Sequence, residues 1–442
     1  MSLSSLTLTS RPRPAPSRLD GLPVAIIGAG PVGLAAAAQL LERGIEAVIW
    51  ESGPQAGAAI ALWGHTRLFT PWQYLVDSAA ARLLERDGWV LPEEAELPTG
   101  RHLLDRYLLP LAELPELAGS IRYDSTVLAV SRQGMDRTRS GDRAGTPFVL
   151  RVRTDAGVSD SYARAVIDTS GTYSSPNALL ASGLDPVHAD AVQPYLVDAL
   201  PDVLGVDLER FAGRHTLVVG AGHSAANTLI ALGALAETVP GTRISWAIRS
   251  AAPVRVYGSA DDELAARASL GAHVKALVRS GMVTLVDRFE IGDVLPATNG
   301  ATGVTVTGVR AGQAFSVAAD TVVAATGFRP DLALLREIRL SLDDIVEAPR
   351  MLAPLIDPNL HSCGTVPPHG VVELSHPEPN FFIAGMKSFG RAPTFLLATG
   401  YEQVRSIADE LAGNVAAARQ VELVLPETGV CSTGGDSGSC CT

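Results

Sequence analysis

The sequence predicts an α/β chain of two similar units, each a parallel sheet flanked by helices, with the second unit inserted into the first. Three observations lead there. An apolar strand runs into a glycine-rich turn and an alanine-rich helix over Val24–Ala38, and the same pattern recurs over Thr216–Asn227. A further apolar strand, Asn380-Phe-Phe-Ile-Ala-Gly385, returns after the second unit has closed. Two such starts, so widely separated, are two nucleotide-sized units and not a short repeat.

The elements follow in order. Residues 1–20 are rich in Ser, Thr, Pro and Arg, lack an apolar run, and read as a flexible leader. Helix-like stretches at Leu75–Arg86 and Arg101–Leu109 precede strand patterns at Ser125–Ser131, Phe148–Thr154 and Ala163–Asp168. The polar, Gly/Arg-rich stretch Gln133–Gly145 reads as a hairpin loop. After the second glycine turn come a helix from Ser224, a strand Arg243–Arg249, a helix over Glu263–Arg279 and a strand Val283–Val286. Thr321–Gly327 closes the unit, and a helix over Pro393–Leu411 follows the returning strand. The expected division is 21–200 and 329–425 for the first unit, 201–328 for the second, and a Gly/Ser/Thr-rich flexible tail over 426–442.

Composition narrows the function. A chain of 442 residues, 47% hydrophobic and 19% charged, is globular and long enough for roughly two to three domains. Its net charge of −12, with no basic cluster, argues against a nucleic-acid partner. No stretch of about 18 apolar residues is present, so no membrane span is expected. The cysteines are Cys363, Cys431, Cys440 and Cys441, all in the last fifth of the chain. Disulfides therefore do not hold the fold, and a reducing cytoplasm is the natural compartment.

The first turn, Gly28-x-Gly30-Pro31-x-Gly33, has the spacing a dinucleotide needs. The first glycine makes the tight turn, the second admits a pyrophosphate, and the third lets helix and strand pack closely. The helix amino terminus then offers unpaired N–H groups to the phosphates. A second strand ends in Glu51, placed to accept from a ribose hydroxyl.

The second turn, Gly220-x-Gly222-x-Ser224-Ala225, carries alanine at its third position, which the motif tolerates. Its second strand ends in Arg249, without an acid. A guanidinium binds a 2′-phosphate that a carboxylate would repel, which favours NADPH over NADH. A solvated surface arginine is the other reading of that residue. Two more strand ends, Val166–Gly171 with Ser170 and Gly171, and Val322–Gly327 with Thr326 and Gly327, let backbone approach a cofactor. Gly385, before the last helix, would offer N–H groups to a flavin or a pyrophosphate. No HExxH, GxSxG or Walker-type loop is present, so hydrolase and NTPase readings have no anchor.

The series GAGPVG, IDTSGTYSSPN, VVGAGHSAANT, AATGF and FFIAG, across residues 22 to 411, resembles the flavoproteins with two dinucleotide domains, especially the flavin-containing monooxygenases. The resemblance implies two Rossmann-like dinucleotide-binding domains, the NADPH domain inserted in the FAD domain. FAD would sit on Gly28, Gly30, Gly33 and Glu51, and NADPH on Gly220, Gly222, Ser224 and Arg249. It also implies that His65, Arg67 and Trp72 line a flavin pocket, although core packing accounts for the aromatics equally well. One hallmark departs from that family. Its Phe-x-Gly-x-x-x-His stretch is replaced by Phe211-Ala-Gly213-Arg214-His215, which bears on oxygenation more than on flavin binding. The disulfide reductases of this fold carry a Cys pair that this chain lacks. Electrons would instead leave to oxygen, a quinone or another small acceptor, or to the C-terminal thiols.

Cys431, Cys440 and Cys441 stand on a glycine-rich tail. Three thiolates can converge on one soft ion, and trivalent arsenic takes three. Incidental cysteines on a disordered tail are the competing reading. His361–Gly364 and Met386–Pro393 resemble the flavin-binding monooxygenase-like proteins of bacterial arsenic-resistance operons. The expected partner is therefore a small-molecule substrate or metalloid. An NADPH-dependent reductase of a small acceptor, and a metalloid-binding flavoprotein without turnover, are the alternatives.

Overall fold

The computed structural model describes residues 17–257, 265–297, 302–357, 366–392 and 395–423. Val24–Ile27 is buried along its whole length, as befits a parallel strand covered on both faces. It is the middle of five parallel strands, in the order Phe381–Ile383, Ala165–Asp168, Val24–Ile27, Ala47–Trp50 and Ile121–Arg122. The helix Pro31–Glu42 follows at once and buries Leu34, Leu40 and the alanines between them. These small side chains let it lie close against the helix Leu397–Leu411. An antiparallel sheet of Thr126–Arg132, Phe148–Thr154 and Gly157–Ala163 shares a core with this strand layer through Ile27, Phe148, Leu150 and Phe381.

The second unit repeats the plan. Its parallel sheet runs Val283–Val286, Arg243–Ala247, His215–Val219, Thr321–Ala324 and Leu196–Asp198. An antiparallel sheet, Phe289–Pro296, Val304–Arg310 and Gln313–Ala319, packs on it through Phe289, Val304, Leu217 and Val322. The second sheet thus begins at Leu196, ahead of the boundary expected at 201, and its core draws in Leu179, Leu180 and Val192.

The neighbours Ala165–Asp168 and Phe381–Ile383 in the first sheet flank the whole second unit in sequence. The two crossings between units lie against each other. Asn177 N–H donates to Gly327 O at 2.9 Å, Arg329 N–H to Ser175 O at 2.9 Å, and Thr326 Oγ1 to Asn177 O at 2.8 Å.

The two helical stretches ahead of the first antiparallel sheet differ from the sequence expectation. The first begins at Ser78, because Asp77 caps it by accepting from the N–H groups of Ala79 and Ala80, both at 2.9 Å. The second is interrupted by a π-turn over Leu104–Leu108. Pro110 cannot donate to Arg106, and the freed carbonyl accepts from Trp89 Nε1 at 2.7 Å. No helix among the described residues is long and apolar enough to cross a membrane.

Candidate functional site

The first glycine turn is tight where the sequence reading requires it and open where a ligand would come. Gly28 has φ 97°, and a Cβ there would lie 3.1 Å from Ser170 Cα and Thr169 O. A Cβ on Gly33 would fall 1.9 Å from Gly28 O, so helix and turn exclude any side chain. Around Gly30 nothing comes within 4 Å of the same point. Gly30 caps the helix without a side-chain acceptor, and Pro31 brings no donor of its own. The first turn's amides are left for an anion.

Glu51 is buried at the end of its strand, accepting from Ala29 N–H and Gly53 N–H, both at 2.7 Å. A carboxylate has about four lone-pair positions, so it keeps acceptor capacity while bracing the Gly28–Gly30 turn.

The second turn repeats the contrast. Gly220 has φ 129°, with Ala325 O 2.0 Å from a notional Cβ, while Gly222 faces open space. Trp246 Nε1 fixes the turn by donating to Gly220 O at 2.7 Å. Ala225 is buried at the third position, and Ser224, next to it, is half-buried and accepts from Thr228 Oγ1 through its carbonyl at 2.9 Å. Arg249 stands exposed two residues beyond its strand. The ring of Phe69, from the first unit, meets that of His223, the first residue of the second unit's helix, at 5.2 Å.

Other expected residues fall around these turns with different duties. Ser170 and Gly171 follow Asp168, and Gly171 has φ 71°. Thr326 spends its hydroxyl on Asn177, and Gly327 packs against the same side chain, its notional Cβ 3.3 Å from Asn177 Nδ2. They belong to the crossing between units. Gly385 has φ 71°, but its N–H donates to Gln403 Oε1 at 2.7 Å and is not free for a ligand. What glycine provides there is close approach, since a Cβ would meet Val32 at 3.2 Å.

Trp72 is fully buried with its indole N–H unpartnered, whereas His65 and Arg67 are exposed. A cavity of about 260 Å³ opens between the units, lined by Leu62 and Tyr173 on one side and by Asp198, Leu200, Asp202 and Arg210 on the other. Burial, then the charge of Asp198, pushes the Tyr173 phenol above its usual pKa. Cys363, Cys431, Cys440 and Cys441 lie outside the described residues. Among the described residues no group of His, Cys, Asp or Glu is arranged to hold a metal ion.

One buried pair lies outside the residues expected from the sequence. Lys387 Nζ lies 2.7 Å from Asp168 Oδ2, with both side chains fully buried, and donates to Ser170 Oγ at 3.0 Å. A carboxylate closing an otherwise apolar strand, Ala165-Val-Ile-Asp168, was the available signal.

Two nucleotide-sized units, one interrupting the other and each opening a glycine turn at the carboxyl ends of its strands, define the class of the two-dinucleotide-domain oxidoreductases. Residues 25–351 match the family described as pyridine nucleotide-disulphide oxidoreductase, and the chain belongs to that family. Solved structures with the same fold include the bacillithiol disulfide reductase of Bacillus cereus, with a TM-score of 0.61 and 19% identity over 89% of this chain and 99% of that one. They also include the FAD-bound cadaverine monooxygenase of desferrioxamine biosynthesis from Erwinia amylovora (TM-score 0.64, 14% identity, 94% and 99% covered). A flavin monooxygenase from Stenotrophomonas maltophilia has a TM-score of 0.55 and 22% identity, with 89% and 98% covered. Among curated proteins no sequence matches.

Proposed function

We propose that the chain holds FAD on the Gly28–Gly33 turn and NADPH on the Gly220–Ala225 turn, and oxygenates a small soft nucleophile. The observation that carries this reading is the paired contrast within the turns: Gly28 and Gly220 have positive φ and would set a Cβ 3.1 and 2.0 Å from backbone atoms, while Gly30 and Gly222 face clear space at the head of a long helix. That is the fit a diphosphate asks for. Glu51 would hold the FAD ribose and Arg249 the 2′-phosphate of NADPH.

Bound flavin supplies hydride acceptance and oxygen activation. The chain's own residues orient and enclose. The Phe69–His223 contact brings a ring of the first unit against the residue that opens the second unit's nucleotide helix. The two turns would hold each nucleotide's diphosphate at the carboxyl end of its sheet, which would set the approach of one ring to the other. Turnover would consume NADPH, a proton, dioxygen and substrate, and give NADP⁺, water and the singly oxygenated substrate. A trivalent arsenical suits, since its lone pair accepts oxygen as arsenic rises from As(III) to As(V). Cys431, Cys440 and Cys441 would capture it as three soft thiolates.

A second reading has NADPH and a proton reduce a small acceptor, such as a disulfide to two thiols, with electrons passing directly from the flavin because the Cys pair of the fold's disulfide reductases is missing from the sequence. The tests separate them. Purified protein is expected to be yellow, to bleach with NADPH in preference to NADH, and to place ¹⁸O from ¹⁸O₂ in the oxidised arsenical. Thiol release from a disulfide without label in any product would select the reductase. A colourless protein that takes up no FAD would end both readings. Replacing Cys431, Cys440 and Cys441 by Ser is expected to abolish arsenite binding while FAD uptake persists; undiminished binding removes the tail from the proposal.

A further inference from the structure

Lys387 and Asp168 stand at the carboxyl edge of the first sheet, where a doubly wound fold receives its ligand. Asp168 is the last residue of its strand, in register with Ile27 on one side and Ile383 on the other. Its Oδ2 accepts from Lys387 Nζ at 2.7 Å, and its Oδ1 accepts from Ser170 Oγ at 2.7 Å and Ser170 N–H at 3.1 Å. Ser170 is the residue whose Cα stands 3.1 Å from the point a Gly28 Cβ would occupy. One ammonium therefore ties the Asp168–Gly171 turn, which backs directly onto the Gly28 turn, to the Gly385–Phe389 turn that carries Lys387.

Stability gives no reason for such a pair. Burying two charges strips both of hydration, and well-packed apolar residues of similar volume commonly serve as well. The pair is neutral as a whole, yet removing either partner leaves one uncompensated charge beside a turn shaped for a diphosphate. Screening by solvent is weak at a fully buried site.

We infer that Lys387 is a positioning residue of the first nucleotide site, whose charge, balanced by Asp168 and relayed through Ser170, sets how tightly that site holds FAD and how readily the bound flavin is reduced. The inference rests on the assignment of FAD to this turn and deepens it.

Four proteins test it, using FAD affinity and the flavin midpoint potential as readouts. Lys387→Met leaves the Asp168 carboxylate alone, so FAD affinity is expected to fall at least tenfold and the potential to drop below wild type. Asp168→Asn leaves the ammonium alone, so affinity is expected to hold or rise and the potential to climb above wild type. The double variant Asp168→Asn/Lys387→Met is expected to bring the potential back between those of the two single variants. Lys387→Arg, which keeps the charge, is expected to retain FAD and a near-native potential, and it decides the matter with Asp168→Asn where Lys387→Met does not fold. A merely structural pair would lower affinity in both single variants and move both potentials to the same side of wild type, which overturns the inference alone. A wild-type chain that takes up no FAD overturns the site assignment, and the inference with it.

Discussion

One methyl group distinguishes two kinds of glycine in these turns. Gly33→Ala would drive a Cβ to 1.9 Å from Gly28 O, a backbone atom that cannot step aside. Overpacking of this sort costs about 3 kcal/mol, so a clear fall in thermal unfolding temperature is expected even without ligand. Gly30→Ala meets nothing within 4 Å and is expected to leave that temperature unchanged while weakening FAD binding at least tenfold. Equal thermal losses in the two variants would refute the distinction. Arg249 offers a second contrast at this scale. Its guanidinium is exposed, so Arg249→Ser should cost little stability. Loss of a charged hydrogen bond worth about 1.5 kcal/mol corresponds to roughly a tenfold rise in the KM for NADPH, with that for NADH unmoved. The glycines and Glu51 could be read from the sequence because their work is done by spacing along one strand–turn–helix. Lys387 and Asp168 could not, since they are 219 positions apart and meet only when the first sheet closes.

Among the elements, the segment returning from the second unit, residues 366–392, carries two imidazoles held neutral. His369 is buried against Phe389; its Nδ1 meets Pro367 O at 3.0 Å and its Nε2 meets the Gln403 amide at 2.7 Å. Burial lowers its pKa, as it does that of His376, which is pushed down to about 4. His376 Nδ1 accepts from Ser341 N–H at 3.3 Å, a bond that protonation of that nitrogen would remove. Unfolded, His376 would titrate at its ordinary 6.5. Its neutral form therefore stabilises the fold fully above pH 6.5, and that contribution is lost as pH falls toward 4. The loss amounts to as much as about 3 kcal/mol. His376→Gln is expected to flatten the fall of unfolding temperature between pH 6.5 and 4, and an unchanged slope would remove His376 as its source. The segment's order along the chain was legible from Asn380–Gly385. The polar contacts that seat it were not, because Gln403 and Ser341 lie on other elements. The antiparallel layer over Phe289–Ala319 was missed differently: its alternation, as in Val304-Thr-Val-Thr307, was present in the sequence but its partner strands were not.

At the scale of the whole molecule, the two units are joined by paired crossings that Asn177, Thr326 and Arg329 clasp. The inner unit has a complete parallel sheet and its own core, so a fragment spanning residues 178–329 is expected to unfold cooperatively by itself. A chain ending at residue 357 lacks the strand Phe381–Ile383 and the helix Leu397–Leu411. It is expected to keep that inner transition and lose the outer one, as two-probe denaturation would show; retention of both would mean the returning strand is dispensable. Repetition made this architecture readable, since the same strand–turn–helix start occurs twice. The exact edge of the inner unit was not, because the short strand Leu196–Asp198 has no periodicity of its own and exists by pairing with Thr321–Ala324.

The adjacency of Ala165–Asp168 and Phe381–Ile383 also sets a timetable for biosynthesis. A ribosome delivers the outer sheet's beginning, then the whole inner unit, and only then the strand that completes the edge beside Asp168. During that interval the nascent chain carries an open row of backbone donors and acceptors and an acidic side chain awaiting its lysine. Chaperone occupancy, stalling and proteolytic loss should therefore concentrate in the roughly ten to forty seconds before Phe381 leaves the exit tunnel.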